Sequence, residues 1–226
     1  MCSSDLGALS KTIRFRFRKG PEVRFLSHLD LLRTMERAIR RAGLPIAYSE
    51  GFNPRPKMSF GFALAVGILS EGEYGDYEFV EAMDPVEFQE LYNGNLPQGL
   101  EVLAARSLPT GTPTLMRLIN AGAYDVVIPN KSRGEILQRW EWLQSQDTFM
   151  VERETKKGTR QLNIRPFLFD LTSVQEIEQG VAVSCLCALG NEANLRMEEL
   201  GRLLEFDHLD ALITRTGQLI RHGSEY

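Results

Sequence analysis

Residues 13–18 read Ile-Arg-Phe-Arg-Phe-Arg, an unbroken alternation of apolar and cationic side chains. A period of two is a strand's repeat, with successive side chains on opposite faces. Phe15 and Phe17 therefore share one face, and Arg14, Arg16 and Arg18 share the other. Asp76 and Glu78 alternate in the same way within a second expected strand, Asp76–Ala82. If the two strands are neighbours, these charges pair across the sheet.

The next segment is an amphipathic helix over Ser27–Ala42. Ser27 followed by Asp30 is a capping pattern, and Gly43 and Pro45 stop the helix. At about 100° per residue, Leu31, Met35, Ala38, Ile39 and Ala42 fall on one side. Arg33, Arg37, Arg40 and Arg41 fall on the other, with only Glu36 placed to pair at i,i+4. A loop follows, Tyr48-Ser-Glu-Gly-Phe-Asn-Pro-Arg-Pro-Lys57. Its prolines hold Asn53 and Arg55 extended, so it loses little entropy on meeting a ligand. Tyr48 and Phe52 are candidates for base stacking, Asn53 for hydrogen bonding, and Arg55 and Lys57 for phosphate. The competing structural reading folds Phe52 back as a hydrophobic plug.

Charge sharpens this reading. The 226 residues carry a net charge of −4, yet residues 11–60 carry +8 and residues 61–114 carry −8. A basic region on an acidic chain points to a polyanion approached from one side. No run of about 18 apolar residues is present, so no transmembrane helix is expected. Residues 1–10 lack the basic start and apolar run of a signal peptide and read as a lead-in. Cys185 and Cys187 alternate with apolar residues and are expected to pack as reduced thiols. These features point to a cytoplasmic protein.

In chain order, the first half reads strand, helix, strand, strand, helix, strand. The strands are Ile13–Arg18, Lys57–Gly67, Asp76–Ala82 and Leu100–Arg106, with a turn over Leu69–Gly75. Asp84 caps the second helix, with Pro85 at its first position. After a Thr/Pro-rich linker at Pro109–Thr114 the order repeats: strand Tyr124–Ile128, helix Ser132–Gln146, strand Phe149–Thr155, strand Val181–Leu189, helix Leu195–Phe206 and strand Ala211–Ile220. The basic turn Lys156-Lys157-Gly-Thr-Arg160 adds Lys156, Lys157 and Arg160 to the nucleic-acid candidates. The expected fold is α+β, two tandem ferredoxin-like βαββαβ units with antiparallel sheets, over 11–110 and 115–226.

Candidate chemistry is sparse. His28, His208 and His222 lie at no metal-ligand spacing with one another or with cysteine. No phosphate-binding glycine loop is present, and no metal or cofactor is expected. His28 opens the basic helix and turns toward its apolar side near Leu32, as a structural, hydrogen-bonded histidine would. The catalytic alternative is metal-independent RNA cleavage. It uses His28 as general base, Tyr48 as a second proton-transfer group, and Lys57 or Arg55 to steady phosphate charge.

Phe25-Leu-Ser-His-Leu-Asp30, the arginine-rich helix after it, the Tyr48–Pro56 loop, Ser70-Glu-Gly-Glu-Tyr74, Lys157 and Asn163-Ile-Arg-Pro-Phe167 resemble a bacterial family of radical-SAM-linked proteins. Members of that family are fused to, or encoded beside, a radical S-adenosylmethionine enzyme. The resemblance covers most of the chain and implies an accessory role, because this chain lacks the radical enzyme's cysteine cluster. A weaker, architectural resemblance is to CRISPR repeat-processing endoribonucleases, which also use tandem ferredoxin-like units. Leu189-Gly-Asn-Glu-Ala-Asn194 departs from their late glycine-rich loop. The expected function is an RNA-binding accessory to a radical SAM enzyme in tRNA or rRNA modification. A protein-interaction adaptor for that enzyme without nucleic acid, and a metal-independent endoribonuclease, are the alternatives.

Overall fold

The computed structural model of the chain describes residues 10–155 and 158–222. It is a mixed α/β architecture with five α-helices and antiparallel strand pairing in its described residues. Two compact units divide between Leu118 and Ile119. No described helix is long and apolar enough to cross a membrane.

The first unit contains β1 (Ser10–Lys19), α1 (His28–Arg41), β2 (Met58–Phe60), β3 (Leu69–Met83), α2 (Pro85–Asn93), β4 (Leu100–Ser107) and a single turn of helix, α3 (Leu115–Leu118). Its sheet runs β4-β1-β3-β2, each pair antiparallel. The alternation in β1 works as the sequence predicts. Ile13, Phe15 and Phe17 are buried with Met35 and Ile39 of α1 and Phe88 and Tyr92 of α2, so both helices cover one face of the sheet. Phe15 stacks edge-on to Tyr77 at 4.6 Å between ring centroids.

Two expectations about this unit fail. The strand expected over Lys57–Gly67 is only three residues long, because beyond Phe60 the chain leaves the sheet. The turn expected over Leu69–Gly75 is the first half of the 15-residue β3. Gly75 has a packing role there: a Cβ at this position would meet the Phe15 ring at 2.5 Å. A glycine inside a strand marks such close approach as readily as a turn.

Tyr77 and Tyr92 are fully buried. Their hydroxyls lie 2.8 Å apart, and Tyr92 donates to the Met35 carbonyl at 3.0 Å. Burial pushes both phenols up, and for Tyr77 the neighbouring Tyr92 adds to the effect. Above about pH 10 an unfolded tyrosine loses its proton while these two keep theirs. The unfolded state then binds fewer protons, and stability falls as pH rises. Each tyrosine contributes about 1.4 kcal/mol per pH unit until its native pKa is reached. Denaturant unfolding at pH 9, 10 and 11 should show the decline, and a Tyr77→Phe/Tyr92→Phe variant should flatten it.

The second unit contains β5 (Ala121–Pro129), α4 (Arg133–Gln144), β6 (Met150–Thr155), β7 (Gly158–Asn163), β8 (Leu168–Ile177), β9 (Gly180–Ala188), α5 (Met197–Leu204) and β10 (Leu212–Leu219). Its main sheet runs β10-β5-β9-β8, again antiparallel. Ser132 and Glu135 form the expected capping box of α4. The Phe149–Thr155 segment does not join the main sheet. It pairs with β7 as a separate hairpin, and β8 takes the place beside β9. The Asn163-Ile-Arg-Pro-Phe segment is a structural knot between them. Asn163 Oδ1 accepts from the Phe149 and Arg165 amides, and Arg165 donates to the Leu143 carbonyl at 2.6 Å with its guanidinium over the Trp140 ring. Cys185 and Cys187 are buried free thiols with their sulfurs 3.8 Å apart.

Candidate nucleic-acid interface

The N-terminus of α1 forms as its cap predicts, with Ser27 Oγ accepting from the Asp30 amide. Leu31, Met35, Ala38 and Ile39 are buried and Arg33, Arg37, Arg40 and Arg41 are exposed. Arg33 pairs with Asp30 at 3.3 Å and Arg40 with Glu36 one turn back. Arg41 donates to the Asn95 carbonyl at 2.6 Å. Arg37 has no hydrogen-bond or ion-pair partner among the described residues. Exposed i,i+3 and i,i+4 pairs contribute about 0–1 kcal/mol, so Arg33 and Arg40 remain open to a phosphate.

The proline-rich loop is pinned at its base. The Ala47 amide donates to the Glu78 carbonyl of β3, the Glu78 amide to the Lys57 carbonyl and the Lys57 amide to the Ala47 carbonyl, and Tyr48 bridges to Pro56. Higher up, the Ser49 amide donates to the Arg55 carbonyl at 2.8 Å, and the Arg55 amide returns to Ser49 Oγ at 3.0 Å. At the tip, Gly51 takes φ +122°, a region that favours glycine. Phe52 stands at 106 % relative exposure and Tyr48 at 41 %. The hydrophobic-plug reading of Phe52 is therefore excluded. Asn53 and Arg55 are exposed beside it.

Within the first unit the described cations do not form one patch. Arg14 makes a bidentate pair with Asp76, at 2.7 and 2.8 Å, in the β1–β3 register. Arg16 donates to the Glu71 carbonyl, and Arg18 lies 3.6 Å from both Glu71 and Glu101. Arg14 and Arg18 are thus countered by carboxylates of the same unit, and Arg16 is tied to a backbone carbonyl. Lys57 pairs with Glu78 at 2.7 Å. It borders an open groove of about 1030 Å³ with Lys11, Thr12, Ser59 and Thr112. Thr12 and Glu78 alternate with the core residues Ile13 and Tyr77, so this groove lies on the sheet face away from α1. The sequence reading missed it, because Thr110, Thr112 and Thr114 looked like linker residues. Arg160 is exposed on β7 of the second unit; Lys156 and Lys157 lie outside the described residues.

The ribonuclease constellation is not assembled. Lys57 and Tyr48 stand where β1 begins, since Glu78 pairs with Thr12. His28 stands where β1 finishes, because Lys19 at that end donates to the Arg24 and Leu26 carbonyls. Seven strand residues at about 3.3 Å each put roughly 20 Å between them. His28 is half-buried, as expected of a structural residue, but its imidazole has no hydrogen-bond partner among the described residues. Among the described residues, no group of three or more His, Cys, Asp and Glu is placed to hold a metal.

No curated protein shows a significant match to the chain. Residues 12–197 match the DUF2344 model, described as an uncharacterized protein conserved in bacteria, and the chain belongs to that family.

Proposed function

We infer that the chain is an RNA-binding accessory protein acting with a radical S-adenosylmethionine enzyme, in the modification of tRNA or rRNA. Phe52 carries the RNA part: a fully exposed ring at the tip of a loop pinned on both arms. An aromatic held out in water is a stacking platform prepared before its partner arrives. Arg55 and Asn53 flank it, and the arginine face of α1 supplies further phosphate contacts. We read each unit as a ferredoxin-like body; the split element order and the sheet orders β4-β1-β3-β2 and β10-β5-β9-β8 support this. The enzyme partner rests on the motif resemblance. The cytoplasm is its expected compartment.

An adaptor without nucleic acid would satisfy its basic helix internally. Of Arg33, Arg37 and Arg41, only Arg33 meets a carboxylate, which favours the RNA reading. Filter binding to total tRNA at 50 and 200 mM salt tests it. With about five phosphate contacts, affinity should fall by roughly two to three orders of magnitude between the two. No binding at the lower salt would overturn the RNA role.

A further inference from the structure

Two uncovered stripes lie on the helical layer of the first unit, and they are opposite in charge. On α1, Leu29, Arg33 and Arg37 follow at i, i+4 and i+8, with Phe25 just ahead; Phe25 is 72 % and Leu29 63 % exposed. On α2, Val86, Glu87, Glu90 and Leu91 face away from the buried Phe88 and Tyr92, with Val86 64 % and Leu91 42 % exposed. Both helices pack on the same face of one sheet, so both stripes look outward on the same side.

Among the described residues the charges of one stripe do not pair with those of the other, and Arg33 meets Asp30 of its own helix. Arg37, Glu87 and Glu90 have no side-chain partner among the described residues, although α1 and α2 touch through Met35 and Tyr92, and Arg41 reaches Asn95 just past the end of α2. Each stripe also places large apolar side chains beside its charges in water, and apolar surface that is contiguous and rimmed by polar groups is where proteins meet partners.

We propose that a second copy of this chain covers this layer, with the α1 stripe of each protomer against the α2 stripe of the other. A two-fold axis makes one patch meet itself, and a patch that is half cationic and half anionic is complementary to itself under that rotation. Arg33 and Arg37 of each protomer then face the partner's Glu87 and Glu90, while Phe25, Leu29, Val86 and Leu91 leave water. The Phe52 loop belongs to neither stripe and remains free for RNA. Arg33 and Arg37 are shared, so RNA that reaches along α1 competes with the second copy. The dimer itself does not depend on the RNA reading.

Sedimentation of the nuclease-treated full chain at 100 µM and low salt tests the proposal, with circular dichroism as the check on folding. Wild type should sediment at twice the 25.6 kDa chain mass and dissociate at high salt. An Arg33→Glu/Arg37→Glu variant and a Glu87→Arg/Glu90→Arg variant should each be monomeric, because both stripes then carry one sign. An equimolar mixture of the two should restore the dimer mass, since both contacts of the mixed pair are again opposite in charge. A monomeric wild type, variants that still dimerise, or a mixture that stays monomeric would each overturn it.

Discussion

Replacing Glu199 with alanine is expected to destabilise the second unit by about 3–5 kcal/mol, the range for a buried ion pair that loses one member. Glu199 is 2 % exposed. Its carboxylate accepts from Arg153 Nε at 2.9 Å, from Arg153 Nη2 at 2.6 Å and from the Arg196 amide at 2.9 Å. Arg153 Nη2 also donates to the Asn194 carbonyl at 2.9 Å. The pair thus fastens the β6–β7 hairpin to the start of α5. Glu199→Ala leaves a guanidinium at 16 % side-chain exposure with its countercharge gone and its water not restored. Glu199→Leu combined with Arg153→Met should recover much of the loss, because that variant buries no unpaired charge. Both tryptophans, Trp140 and Trp142, lie on α4. Tryptophan fluorescence during urea unfolding therefore follows this unit alone. A loss below 1 kcal/mol for Glu199→Ala would mean that the hairpin's own pairing, not this contact, holds it.

The elements legible in the sequence were those whose signals are local. The caps of α1, α2 and α4 are short patterns read by the backbone amides next to them, and the period of β1 is set by its own side chains. The Arg14–Asp76 pair was legible only as a condition, since it needs β1 and β3 to be neighbours. What the sequence hid depended on distant packing. Gly75 and the Ser-Glu-Gly-Glu run before it look like a turn until Phe15 is placed above the strand. Asn163 and Pro166 obscured the approach to β8, because their turn is held by Phe149, Leu143 and Trp140 from other segments. At the candidate site the residue types were legible and their arrangement was not. Whether Phe52 plugs a core or stands in water depends on whether other residues leave it a pocket. Lys57 could not be separated from the arginines of α1 until β2 showed which face it takes.

Removing the loop's tip should leave the fold intact and cost most of the RNA affinity. Phe52 touches no core residue that its loss would open, and Arg55 is exposed with a side chain that has no partner among the described residues. Phe52→Ala/Arg55→Ala is therefore expected to unfold at the wild-type denaturant midpoint within about 0.5 kcal/mol, as surface substitutions do. Stacking on one aromatic contributes about 1–3 kcal/mol per base. One arginine on a phosphate adds about one to the salt slope, nearly tenfold in affinity at 0.1 M salt. Together the two substitutions should weaken tRNA binding by about 10²–10³-fold and flatten its salt dependence by about one. Phe52→Tyr or Phe52→Trp should retain binding, because either ring can stack, whereas Phe52→Leu should not, although leucine is apolar. That comparison separates a stacking platform from a merely hydrophobic contact. If Phe52→Leu binds RNA like wild type, Phe52 does not stack on a base, and the exposed ring needs another partner.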